Sequence, residues 1–135
     1  MFSCKTQPQN LQDSAMASTV ITYAKKRGRG MKMPVYTLEV LDSKVIKYTG
    51  VANVPVIGAR VIDLDDATYT QLIKAFKASD FSTFETVYKG RMRDLPLTAI
   101  TFDDHSVTYQ EEVCPEKLEV LAKLVEGTAN IAELE

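Results

Sequence analysis

Two cysteines and one histidine in 135 residues leave little material for metal or nucleophilic chemistry. Cys4 and Cys114 stand far apart in the chain, so they make neither a disulfide framework nor a metal cluster, and they leave the redox compartment undecided. No apolar run is long enough to span a bilayer. Gly28 and Gly30 lie between two strand-like stretches rather than joining a strand to a helix, so they do not form a phosphate cradle. The single histidine, His105, sits beside Asp103 and Asp104 and reads as a solvated turn residue. A metal site from these three would need ligands from elsewhere, since adjacent positions point in different directions. Asp63, Asp65 and Asp66 lack the Gly and the bidentate Glu of a calcium loop. No cofactor and no metal is therefore expected, and a small enzyme with carboxylates on an open sheet face is the least favoured reading.

What is present is a globular composition. The hydrophobic fraction of 45% allows a sizeable core, and the length fits one domain with a tail. The net charge of −2 is unevenly spread. Lys25, Lys26, Arg27, Arg29 and Lys32 put five positive charges into eight residues without an acid, which leaves −7 for the rest of the chain. These five, with Arg91 and Arg93 as neighbours, are the candidate contacts for an anion or a partner: a phosphate, a nucleic-acid backbone, an anionic lipid or an acidic protein surface. Nucleic acid is disfavoured, because one Arg-Gly-Arg-Gly unit stands alone without aromatics to stack bases. A solvated loop whose charges discourage edge pairing is the plainer reading.

Taken in order, residues 1–17 are polar and aperiodic and read as a disordered tail or tether. Ser18 to Ala24 is a β-branched run and reads as a strand. From Pro34 to Gly50, alternation in Tyr36, Leu38 and Val40 is broken by Asp42-Ser43-Lys44 and resumes in Val45, Ile46 and Tyr48, which predicts a hairpin ended by Gly50. Val56 to Leu64 predicts a further strand with Gly58 at a bulge. Asp65 or Asp66 caps a helix carrying Tyr69, Leu72, Ile73 and Phe76 on one stripe and ending near Ser79. Phe81 to Gly90 fits either an irregular packing segment or a short strand. Leu97 to Phe102 and Val107 to Gln110 predict a second hairpin around the turn 103–106. Pro115 opens a final helix with Leu118, Leu121, Ala122 and Val125 inward and Gly127 as its stop.

Hairpin then helix thus occurs twice, as TLEVLDSKVIKY and TAITFDDHSVTY, each ending in Tyr and each followed by an amphipathic helix. The expected fold is α+β, in the order β-β-β-β-α-β-β-α. An antiparallel sheet of about five to six strands carries both helices on one face, and Thr37, Glu39 and Lys47 lie on the wetted face. The expected organisation is a tail or tether over 1–17, one domain over 18–127 and a C-terminal tail over 128–135.

With these motifs placed, the chain from about Val20 to Glu126 resembles a bacterial family of domains of unknown function, number 6438, many of whose members are predicted lipoproteins. The family pattern has a strand containing a Tyr, then Cys-Phe-Gly-x-Cys-Pro-x-Tyr, a hairpin ending Tyr-x-Gly, a helix, a second Tyr-x-Gly, Asp-Leu-Pro, a second hairpin and a last helix. Tyr23 matches the first strand, and Pro34 and Tyr36 match Pro-x-Tyr. Tyr48 and Gly50, Tyr88 and Gly90, and Asp94 and Pro96 match the later motifs. Both motif cysteines are missing: Met33 precedes the proline, and the Arg-Gly-Arg-Gly loop occupies their place.

The resemblance implies a fold and an envelope address but no activity. Phe2-Ser3-Cys4-Lys5 is similar to the end of a lipoprotein signal, with Cys4 as the candidate lipidated residue, although Met1 stands only three residues upstream. The functional expectation is a non-catalytic, periplasm-facing or outer-membrane lipoprotein-like domain. It would bind a protein or an envelope polymer, with membrane contact only through a lipid on Cys4. The alternative is a cytoplasmic module binding nucleic acid or another polyanion through residues 25–32.

Overall fold

The computed structural model describes residues 18–26, 33–90 and 96–130. Its centre is the first hairpin, β2 (Val35–Leu41) and β3 (Val45–Ala52), paired antiparallel with Leu38 opposite Tyr48 and Val40 opposite Ile46. Period-two alternation buries Tyr36, Leu38 and Val40 on one side and leaves Thr37 and Glu39 half-exposed on the other. β1 (Thr19–Lys25) pairs with β2, and β4 (Gly58–Asp63) pairs with β3, both antiparallel. The second hairpin, β6 (Thr98–Phe102) and β7 (His105–Tyr109), joins through β6 to β1. β5 (Val87–Tyr88) adds a two-residue edge, parallel to β7. The sheet is therefore mixed and seven-stranded, in the order β4-β3-β2-β1-β6-β7-β5, with five of its six strand pairings antiparallel.

Helix α1 (Asp66–Ala78) begins as its acids require: Asp65 accepts from the Thr68 amide at 2.7 Å, which satisfies one of the free amides of the first turn. That bond holds the Asp65 carboxyl below its usual range. Helix α2 (Glu116–Ala129) follows Pro115. Both helices lie on one face of the sheet, and Leu72 and Phe76 from α1 and Leu118, Leu121 and Val125 from α2 join the sheet's inward residues in one core. A 13-residue or 14-residue helix alone is marginal in water, so it is this burial that holds them.

The α+β architecture expected with about five to six strands is present with seven, the short-strand alternative for Phe81 to Gly90 being realised as β5 at the edge. Four local expectations are corrected. β3 continues through Gly50 to Ala52 instead of ending at the glycine. Gly58 does not make a bulge: at φ +105 it turns the chain into β4, and the β3–β4 register then runs unbroken from Gly50 opposite Gly58 to Val45 opposite Asp63. Gly127 does not stop α2, which runs on to Ala129 and closes on Asn130 in the left-handed conformation. His105 is not a solvated turn residue. The turn is Asp103–Asp104 alone, both at positive φ, and His105 opens β7 half-buried.

Candidate functional site

The family-motif tyrosines form a row beneath the helices. Tyr23, Tyr36 and Tyr48 are buried, with ring centres 6.0 Å apart between the first two and 6.1 Å between the last two. Each comes from a different strand, and the register sets them on diagonal positions of one face. Tyr48 donates its hydroxyl to the Val56 carbonyl at 2.7 Å, which ties the β3–β4 connection to the sheet. Gly50 explains the rest of the Tyr-x-Gly motif, since a Cβ there would collide with that carbonyl and with the Tyr48 hydroxyl. In the second such motif, Tyr88 accepts at its carbonyl from the Gln110 amide at 2.9 Å, and the Gly90 amide donates to the buried Gln110 side chain at 2.5 Å. These contacts are structural: they tie the β3–β4 connection and the segment around Gly90 to the sheet. Pro34 and Pro96 are half-buried where the chain enters β2 and approaches β6.

Tyr23 is different, because its hydroxyl meets a charge. It donates to the Glu126 carboxylate of α2, and Lys25 Nζ lies 3.5 Å from the same carboxylate. Burial, then the neighbouring Tyr36, then the bond to Glu126 raise the Tyr23 hydroxyl well above its ordinary range, so it stays protonated. Beside this cluster a cleft of about 220 Å³ is lined by Lys25, Tyr109, Cys114, Glu119, Lys123 and Glu126 among others. Lys123 also pairs with Glu119 at 3.9 Å on the helix surface.

The candidate contact residues separate into three groups. Lys25 is largely covered and turned to Glu126, while Lys26 is exposed. Arg27, Arg29, Lys32, Arg91, Arg93, Asp94 and Cys4 lie outside the described residues. The structure does place the points where both arginine-bearing stretches begin or end. The Lys26 amide donates to the Leu97 carbonyl at 2.8 Å, and Lys25 is opposite Thr98 in the sheet. Residues 27–32 thus leave from the end of β1 beside the place where residues 91–95 lead into β6.

His105 is a packing residue. Its Nε2 lies 2.8 Å from the Phe84 carbonyl and its ring meets Phe81 edge-on at 5.8 Å. Among the described residues no group of three His, Cys, Asp or Glu side chains is placed to hold a metal ion. No helix among them is long and apolar enough to cross a membrane.

Residues 18–129 match the family model described as "Domain of unknown function (DUF6438)". No curated protein matches the chain.

Proposed function

This chain belongs to that family of domains of unknown function, and from that premise we propose that it is a non-catalytic binding domain of the bacterial envelope. Its contact surface is the end of the sheet where β1 finishes and β6 begins. The observation that supports the reading is the bond from the Lys26 amide to the Leu97 carbonyl, because it joins the described chain positions that border residues 27–32 and 91–95 at one end of the sheet. Seven basic residues belong to residues 25–32 and 91–95, and one of them, Lys25, is already paired with Glu126. The other six supply the positive field that an anionic polymer or an acidic protein surface recognises. The motif tyrosines and glycines support the same reading, since they hold the scaffold and leave recognition to loops.

The envelope address rests on the lipoprotein-like Phe2-Ser3-Cys4 run and on the family resemblance. Expression of the natural gene in its own host, followed by membrane fractionation and intact mass, tests it. A diacylated or triacylated Cys4 in the membrane fraction supports the anchored domain. A soluble, unmodified chain with the same salt-sensitive binding would favour a cytoplasmic polyanion-binding module instead.

A further inference from the structure

The end of the sheet opposite Lys25 has the reverse chemistry. The register places the start of β1, the turn after β2, the end of β4 and the turn after β6 together there. All seven aspartates among the described residues lie at this end: 42, 63, 65, 66, 80, 103 and 104. Four do not line the cleft: Asp42 accepts from the Ser18 amide, Asp65 caps α1, Asp66 takes Lys44 at 2.7 Å, and Asp63 ends β4. Asp80, Asp103 and Asp104 instead rim a cleft of about 580 Å³ between α1 and the ends of β1 and β6. Among the described residues their carboxylates have no hydrogen-bond or ion-pair partner. Lys77 is the one cation on the same rim.

The floor of this cleft is apolar. Half-buried Val20, Tyr69 and Ile73 line it, with Phe81 and Phe102 beneath. Phe102 packs on Phe76 at 5.2 Å and meets Phe81 edge-on at 6.0 Å, so the floor is a rigid part of the core. A cleft of this volume falls within the usual range of ligand sites, about 300–1,000 Å³.

We propose that this cleft is a docking groove for a peptide segment of a partner protein that carries apolar and basic side chains together. The apolar side chains of such a segment cover Val20, Tyr69 and Ile73. A lysine or arginine reaches the three rim carboxylates, where charge-assisted hydrogen bonds replace part of its hydration. An acidic or wholly polar segment satisfies neither half of the site. This groove is at the other end of the sheet from the basic contact surface, so each can fail without the other.

The test uses the 15N-labelled full chain and a short capped peptide of alternating Leu and Arg. The expected result is saturable shifts of amides at 19–20, 69–82 and 102–104. Asp80→Asn, Asp103→Asn and Asp104→Asn combined should weaken binding by about tenfold or more while the unfolding midpoint stays, because Asn tolerates the left-handed backbone at all three positions. Asp104→Asn alone gives a milder version of the same loss. Replacing Leu by Ser in the peptide, or Arg by Glu, should cost a similar factor. Equal binding by the triple variant, equal binding of the Leu-to-Ser peptide, shifts mapping elsewhere, or no binding at millimolar peptide would overturn the proposal. A concentration-dependent dimer that the peptide dissolves would also overturn it, by assigning the groove to a second copy of the chain.

Discussion

The Tyr23 hydroxyl, at the middle of the sheet, donates to the carboxylate of Glu126, 103 positions later on the last helix. The two ends of the fold are joined by this contact, and the two partners are not equivalent. Tyr23 is buried, whereas the Glu126 side chain keeps 35% of its surface exposed and has Lys25 beside it. Tyr23→Phe leaves a carboxylate that water and Lys25 still satisfy, and should cost about 1 kcal/mol. Glu126→Ala leaves a buried hydroxyl without its acceptor and should cost more, about 1–3 kcal/mol. Urea unfolding of both variants checks the order. A larger loss from Tyr23→Phe would contradict it.

The same tyrosine sets an alkaline limit. Burial raises the hydroxyls of Tyr23 and Tyr48, so in the folded chain they hold their protons at a pH where the unfolded chain, titrating near about 10, releases them. The stability they contribute is complete below that pH and is lost as pH rises past it, at up to about 1.4 kcal/mol per pH unit for each group. Urea midpoints measured from pH 8 to pH 11 should therefore fall steeply above about 10. Tyr23→Phe should make the fall shallower. An unchanged slope in that variant would show that the hydroxyl titrates alike in both states.

Three glycines are predicted to respond in opposite directions. Gly50→Ala drives a methyl into the Val56 carbonyl and should cost about 3 kcal/mol or prevent folding. Gly58→Ala meets no atom, but its φ of +105 is strained for any side chain and should cost about 1–3 kcal/mol. Gly127→Ala lies inside α2 with open space around it and should stabilise by about 0.5–1 kcal/mol. Thermal unfolding separates the three. A destabilised Gly127→Ala would return Gly127 to the role of helix stop.

His105 ties the 81–88 segment to β7 through the Phe84 carbonyl. His105→Ala should cost about 1 kcal/mol and speed amide exchange at Thr108 and Gln110, whose amides bond the carbonyls of Thr86 and Tyr88. Exchange unchanged at those two amides would mean that β5 is held by its own packing.

Much of the fold was legible in the sequence because it is written in local patterns. Tyr36, Leu38 and Val40 against Thr37 and Glu39 announce a strand with one wet face, and Asp65 announces α1 three residues before the amide it caps. What was illegible depends on distant partners. Val87 and Tyr88 are too short a run to show any period, and become a strand only beside Thr108 and Tyr109. His105 looked solvated because Phe84 is 21 positions away. The acidic cleft draws Asp80 from the end of a helix and Asp103 and Asp104 from a hairpin turn, so no spacing in the sequence reveals it. Gly127 has the residue type of a helix stop, but its backbone stays helical and Asn130 makes the turn instead.

The most direct test of the proposed binding function is salt-dependent retention on an immobilised anionic polymer. Heparin serves as the probe, and the wild-type chain is compared with a variant in which Lys26, Arg27, Arg29 and Lys32 are Gln. Lys25 is kept, because it pairs with Glu126. Wild type should be retained and elute earlier as salt rises, the variant should not be retained, and the two should melt within about 2 °C of each other. Equal retention at every salt concentration would contradict the account and remove the basic end of the sheet as its contact surface.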